Sequence, residues 1–350
     1  MSLINIKVPG KLFVIGEYAV MSSKVEAILI AINKFISINI EPTNNYEFYS
    51  SYGYFKWILD EYDEPQFLYD KLPHVKSAIY IAHKYLKYLD IKPEKYKLSI
   101  ESELNNEEGK KYGLGSSGAV LVGVIKAILY FHGVIVGKQQ LFKLCVLAQL
   151  EINDVTSGAE LATSIYTGWV AYNRYDSLWL INNKGQMMEL IDIEWPLLKI
   201  ERLKVNEILP CVCYSGIDQS TKEYLEKISQ KDFNSEIYKN FIEQAAYYTQ
   251  ALKKALVNSE AQKIAVPFEE YRKLLIEFQE WAGIIIESET LTQIIDCGNQ
   301  SHVPSKVSGA GFGDCVIGLT DNPQLKNHLY QEWNQLGFNS LDLDVWEGFY

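Results

Sequence analysis

The sequence predicts a two-domain α+β protein, and three observations carry that reading. Its 350 residues exceed one small domain and suit two. Strand-like and helix-like apolar patterns are interspersed along most of the chain. From residue 285 onward the order is helix, glycine loop, strand, helix, strand, a βαβ-like ending that suggests a ferredoxin-like half.

Residues 4–8 and 11–15 are β-rich and flank Pro9-Gly10, which reads as a turn. Residues 27–41 begin as a continuous apolar run and end in alternation, with Ile36, Ile38 and Ile40 on one face. That pattern predicts a strand in a mixed or antiparallel sheet. Residues 75–90 carry aromatic and aliphatic side chains at helical spacing, and 96–102 return to strand character. Residues 117–131 are apolar on all sides, as in a helix buried within a domain. A second helix follows over 138–152, then strands over 164–172 and 177–182. Pro196 and Pro210 bracket a crossover, giving an N-terminal domain over 1–196 and a C-terminal domain over 197–350. Residues 234–257 and 259–286 read as amphipathic helices. The tail then runs helix 285–297, glycine loop 305–313, strand 314–320, helix 323–336 and strand 340–346. In such chains ligands favour the cleft between domains.

Lysine and arginine number 33 against 44 aspartates and glutamates, a formal charge of −11. That balance argues against nucleic acid or an anionic membrane as partner, each of which needs a basic face. It leaves room for a small phosphate, which a few N–H groups and one or two lysines can hold. The five cysteines are odd in number and sit mostly in apolar runs, which predicts buried free thiols in a reducing compartment. Cys211-Val212-Cys213 lacks zinc-knuckle spacing, and the five histidines form no ligand pair. The N-terminus reads straight into a strand without a signal-peptide pattern, and no apolar run reaches membrane-spanning length. The expectation is a cytoplasmic protein.

Three glycine-bearing motifs carry the chemistry. The first to weigh is Tyr112-Gly113-Leu114-Gly115-Ser116-Ser117-Gly118-Ala119. Its glycines allow a tight turn and a close backbone approach, and one serine is placed to cap the long apolar helix that follows. The unpaired N–H groups and the positive dipole end of that helix then face the loop, an anion site suited to phosphates. It is neither a Walker A loop nor a dinucleotide fingerprint. A plain helix cap is its ordinary alternative when the motif stands alone. The second motif is Lys306-Val307-Ser308-Gly309-Ala310-Gly311-Phe312-Gly313-Asp314-Cys315, a donor-rich loop with more glycine than a hairpin needs. The third is Val8-Pro9-Gly10-Lys11 running on to Gly16-Glu17-Tyr18-Ala19-Val20. Lys11 stands there in apolar surroundings, and a solvated strand-edge lysine is its ordinary alternative.

In this order and spacing the motifs resemble the GHMP kinase superfamily, the galacto-, homoserine, mevalonate and phosphomevalonate kinases, over nearly the whole chain. Several details are similar to the bacterial branch acting on phosphomevalonate: Tyr18 after Gly16-Glu17, Glu108-Gly109-Lys110-Lys111 before the glycine loop, Gly158-Ala159-Glu160, and the Asp314-Cys315 ending. The resemblance implies a ribosomal-S5-like N-terminal domain and a ferredoxin-like C-terminal domain, with ATP and Mg²⁺ as cofactors and a small phosphorylated molecule as acceptor.

It also implies site residues. Gly113, Leu114, Gly115, Ser116, Ser117, Gly118 and Ala119 would cradle the ATP phosphates, with Lys110 or Lys111 near the nucleotide and Ser117 on the metal. Lys11 and Glu160 would be catalytic. Tyr18, Ser157, Ser220, Lys222, Ser308, Gly309, Ala310 and Gly311 would meet the acceptor. The chain departs from the family at Glu160, commonly Asp, and at Phe312, usually glycine, where a ring could narrow the loop or pack on adenine or acceptor. A phosphate monoester has a second pKa of about 6 and is mostly ionised at neutral pH, so it tolerates an imperfectly placed acid that an alcohol would not. The rival expectations are another GHMP reaction, on mevalonate, homoserine or a sugar or in the decarboxylation of diphosphomevalonate, and a non-catalytic relative that binds without turnover. No nucleic acid or membrane is expected as partner, and the chain is expected to be a monomer or homodimer.

Overall fold

The computed structural model describes residues 3–69, 71–105, 109, 111–154, 156–216, 227–228 and 230–348. Strands β1 (Ile4–Ile15) and β2 (Glu26–Pro42) form a long antiparallel pair. The next elements are β3 (Tyr46–Ser50), β4 (Gly53–Leu59), β5 (Pro65–Phe67), α1 (Pro73–Tyr88) and β6 (Tyr96–Ser102). After them come α2 (Ser116–Phe131), α3 (Lys138–Glu151), α4 (Ala159–Tyr166), β7 (Trp169–Asn173), α5 (Ser177–Asn182) and β8 (Lys199–Leu203). The sheet order is β5-β4-β3-β6-β2-β7-β8, with β1 laid on β2. β2 spans two neighbours on that path: Glu26–Ile30 pairs with β7 and Ile36–Pro42 with β6. The β3/β6 pairing is parallel, so the sheet is mixed.

The alternation in β2 does what it predicts. Ile36, Ile38 and Ile40 are all buried. Helix α2 packs over them so closely that a Cβ at Gly123 would lie 2.5 Å from Ile38 Cγ1. Ala, Val, Leu and Ile around α2 are buried against β1, β2, α1 and α3, which fixes this helix, and the loop before it, in the middle of the domain.

The second sheet begins with β9 (Leu209–Tyr214). It continues through α6 (Glu236–Val257), α7 (Ala265–Ala282), α8 (Glu289–Gln300), β10 (Ser305–Ser308), β11 (Cys315–Thr320), α9 (Pro323–Gln335) and β12 (Asn339–Leu341). Its order, β10-β11-β9-β12, is antiparallel throughout. In chain order that is second, third, first and fourth, the ferredoxin-like arrangement expected from the tail. The chain end then returns to the first sheet, where Trp346 N donates to Ala31 O at 2.8 Å and Gly168 N to Trp346 O at 2.7 Å.

Four expectations of local structure are corrected, and the boundary between the sheets lies beyond the expected division. Pro9-Gly10 is not a turn: β1 runs straight through, with a register shift between Pro9 and Lys11. A Cβ at Gly10 would lie 2.8 Å from Leu104 and 2.9 Å from Leu114 O, so glycine is needed there for close approach, as a bulge. Residues 164–166 close helix α4 instead of opening a strand. Residues 177–182 form helix α5, because the Asp176 carboxylate accepts from Trp179 N at 3.0 Å and caps it. Ser305–Ser308 is strand β10, so the glycine loop expected over 305–313 is shorter and starts at Gly309. The expected division at 196/197 falls before β8, which pairs with β7 in the first sheet; the two sheets part between Leu203 and Leu209. Among the described residues no helix is long and apolar enough to cross a membrane.

Candidate active site

The site starts at the N-terminus of α2. Gly113 (φ 78°) and Gly115 (φ 81°) both take the left-handed conformation that turns the chain into the helix. Gly115 is the N-cap, and no side chain caps it. The expected serine cap is therefore corrected: Ser116 and Ser117 are the first two helical residues, and no serine oxygen occupies the N–H groups of the first turn. Both serines line a cavity of about 390 Å³ with Tyr52, His74, Asn105 and Lys111. Leu114 points into the core, and its carbonyl accepts from Lys11 N at 2.9 Å. Ala119 is also buried, and its N–H is spent on Gly115 O at 3.1 Å.

Past the bulge at Gly10, Lys11 stays opposite Ala31 of β2 and turns its N–H to this loop. Lys11 is only 8% exposed, its Nζ donates to Gly113 O at 3.2 Å, and its stem lies across Gly115. The solvated-edge alternative is thus excluded. A Cβ at Gly115 would meet Lys11 Cε at 2.9 Å. From the other domain, the Asp314 carboxylate lies against Gly113, where a Cβ would be 2.4 Å from its Cγ. Cys315 Sγ donates to Tyr112 O at 3.2 Å, and burial pushes its pKa well up, so it is a structural thiol.

Glu160 stands in the first turn of α4 and packs on Gly118. Its Oε1 accepts from Gln149 Nε2 at 3.0 Å and from the Thr156 hydroxyl at 2.8 Å. Ser157 is buried beside it; its Oγ accepts from Ala159 N at 3.2 Å and its carbonyl from Tyr172 OH at 2.6 Å.

Motif residues also join the two sheets. Tyr18 OH donates to Ala310 O at 2.5 Å, and Ser308 Oγ to Phe13 O at 2.8 Å. Lys306 and Glu17 form a buried ion pair at 2.5 Å, with Tyr271 OH donating to Glu17 O at 2.8 Å. Burial draws the Lys306 pKa down, against the pull of Glu17. Lys306 is therefore fully enclosed in the interface, not the loop donor its position in the motif suggested. Phe312 is buried in the apolar core with its N–H on Ile286 O at 3.0 Å. Gly311 passes so near the same carbonyl that a Cβ would be 2.2 Å from it, while Gly309 (φ 86°) is unobstructed.

Lys11, Gly113, Gly115, Gly118 and Glu160 thus form one contiguous cluster, while Tyr18 with Ala310 and Ser308 with Phe13 make contacts between the two sheets. Lys110, Ser220 and Lys222 lie outside the described residues. Sequence reasoning missed Gln149 and Thr156, which sit in an ordinary helix end and loop, and the Glu17–Lys306 pairing. It also missed Arg174, a buried cation with no carboxylate partner among the described residues. Arg174 donates to Met21 O at 3.2 Å and to Thr156 O at 3.1 Å. At the end of β7 nothing in its neighbours marks it. Asp314 was noted in its motif, but not its seat against the other glycine loop.

The chain is similar to known proteins along nearly its whole length. Residues 74–168 match the model of the GHMP kinases N terminal domain and 252–339 that of the GHMP kinases C terminal domain, together just over half the chain. The phosphomevalonate kinase of Streptomyces sp. (strain CL190) is 29% identical over 356 residues, covering 96% of this chain and 95% of that one. A Lin0012 protein from Listeria innocua superposes with a TM-score of 0.91 at 29% identity, over 99% of this chain and 100% of that one. Streptococcus pneumoniae phosphomevalonate kinase, in complex with phosphomevalonate and AMPPNP, gives 0.86 at 25% identity over 98% and 100%.

Proposed function

The chain belongs to the GHMP kinases, and from that premise we propose that it transfers the γ-phosphoryl group of ATP to the phosphate of 5-phosphomevalonate. The products are ADP and 5-diphosphomevalonate, a step of the mevalonate pathway. The observation that carries the reading is the convergence of Lys11 and Glu160 on the uncapped N-terminus of α2. The acceptor rests on the full-length likeness to the Streptomyces enzyme and on the ligands of the S. pneumoniae one. The same reading takes the protein to be cytoplasmic, a monomer or homodimer.

In this reading the ATP phosphates lie over Gly113 to Gly118, held by the free N–H groups of the first turn and by its positive dipole end. The cavity lined by Ser116, Ser117 and Lys111 receives the nucleotide. Lys11 lies beside the transferring group and offsets charge on its equatorial oxygens, where fixed electrostatics contribute most to phosphoryl transfer. Its stem is packed on Gly115, so the charge is placed before the substrate arrives.

The residues present suit Mg²⁺. Among the described residues no group of three or more His, Cys, Asp or Glu forms a metal cage. Magnesium in such sites takes most of its ligands from phosphates and water, with one or two from protein. Ser117 in the first turn of α2 and Glu160, packed on Gly118 from α4, would supply these, and the ion would neutralise phosphate charge.

The acceptor phosphate attacks through an oxygen already ionised at neutral pH, given a second pKa of about 6. Glu160 therefore would help hold the metal beside the acceptor and does not need to remove a proton. Tyr18, Ser157, Ser308 and the Gly309–Gly311 backbone close the acceptor side, with Ser220 and Lys222 as further candidates.

The test is ADP release from ATP and Mg²⁺ with phosphomevalonate, mevalonate, homoserine and galactose offered in parallel. Turnover with phosphomevalonate alone is expected. Turnover with mevalonate in its place would move the assignment to an alcohol acceptor, and ATP binding without any turnover would leave a non-catalytic relative.

A further inference from the structure

Glutamate at position 160 is one methylene longer than aspartate, and the structure shows where that length goes. The side chain crosses Gly118, where a Cβ would lie 2.7 Å from Glu160 Cγ, so only glycine leaves it room. Both of its hydrogen bonds among the described residues then fall on one atom: Gln149 Nε2 and the Thr156 hydroxyl reach Oε1, at 3.0 and 2.8 Å. Gln149 is buried at the end of α3. Thr156 sits in the loop to α4, and that loop is itself pinned. Thr156 N donates to Asp154 O at 3.0 Å, and Asp154 Oδ2 pairs with His74 Nε2 at 2.7 Å. Arg174 donates to Thr156 O, and Gly158 N to Thr156 Oγ1 at 3.3 Å. His74 lines the same cavity as Ser116 and Ser117.

We propose that Gln149 and Thr156 are positioning residues that hold Glu160 Oε1, so that Oε2 is the oxygen left for acceptor and metal. The site is built around a glutamate of this length, seated on Gly118. Aspartate would withdraw the carboxylate by about 1.5 Å, one C–C bond, beyond the reach of both donors. The right chemical group would then stand in the wrong place. This inference rests on the reading that Glu160 faces the acceptor.

The experiment measures kcat, and KM for ATP and for phosphomevalonate separately, for Glu160→Gln, Glu160→Asp, Thr156→Val, Thr156→Ser and Gln149→Met, each with a thermal melt. Glu160→Asp and Thr156→Val are expected to lower kcat about 10²-fold, the usual cost of a misplacement near 1 Å, with KM for ATP unchanged. Thr156→Ser, which keeps the hydroxyl, is expected to restore most of the rate, and Gln149→Met to fall between. Native kcat in Glu160→Asp or in Thr156→Val, beside an impaired Glu160→Gln, overturns the inference and leaves Glu160 in its role. A fully active Glu160→Gln overturns that role and the inference with it. If Thr156→Val does not fold, Glu160→Asp and Gln149→Met decide the matter by the same readout.

Discussion

At the scale of single residues, Lys11 is where sequence and structure meet most closely. Pro9-Gly10 marked the position, but as a turn, and the structure makes it a bulge that turns the Lys11 N–H onto Leu114 O. The difference is physical: a turn would have put the lysine in solvent, whereas a bulge re-aims a side chain without ending the strand. Lys11→Met keeps the stem over Gly115 and removes only the charge. It is expected to lower kcat by about 10²- to 10³-fold while the melting temperature holds, the scale of losing one preorganised charge partner. Steady-state kinetics beside a melting curve separate the two effects; unchanged kcat would remove Lys11 from the transferring phosphoryl. Gln149, Thr156 and Arg174 were not legible. Their residue types are common at helix ends and loops, and only the fold brings them to Glu160.

At the scale of elements, both ends of α2 carry glycines in the left-handed region, and they separate strain from function. Gly115 (φ 81°) precedes the helix and Gly133 (φ 75°) follows it. Alanine at either costs about 1–2 kcal/mol in backbone strain. At Gly133 a Cβ meets nothing within 4 Å, but at Gly115 it meets Lys11 Cε and Cγ at 2.9 Å. Similar losses of stability are expected from Gly115→Ala and Gly133→Ala, with activity lost only in the first. Equal activity in both would show that the seat of Lys11 on Gly115 does not matter. Elements with strong local signals, such as α2 and the alternating half of β2, were legible because burial on one side or all sides writes a period into the sequence. Residues 177–182 were not: Ser-Leu-Trp-Leu-Ile-Asn suits strand or helix, and the Asp176 cap with β8 taking the place beside β7 decides it. Ser305–Ser308 was read as loop because glycines follow at once, yet its pairing with β11 lies beyond any local window.

At the scale of the whole molecule, what matters is how the two sheets are held together, and here sequence gave least. Glu17 and Lys306 stood in two quoted motifs, 289 residues apart, without any local sign of their pairing. The pair is fully enclosed, with Ser308 on Phe13 and Tyr18 on Ala310 beside it. Removing one partner leaves a buried charge unpaired, so Glu17→Leu is expected to cost about 3–5 kcal/mol in urea unfolding. Adding Lys306→Met is expected to recover most of it, because an apolar pair of similar volume replaces the ions. A double variant less stable than the single one would refute this account of the interface. The ferredoxin-like order of the second sheet was legible from the tail, since it depends on element order more than on contacts. The central claim concerns which oxygen receives the phosphoryl group. Phosphorus-31 NMR of the products from ATP, Mg²⁺ and phosphomevalonate tests it most directly. Two coupled resonances of a new diphosphate ester, rising as the phosphomevalonate singlet falls, are the predicted result. An unchanged phosphomevalonate singlet, with ADP formed only when an alcohol such as mevalonate is supplied, would contradict it.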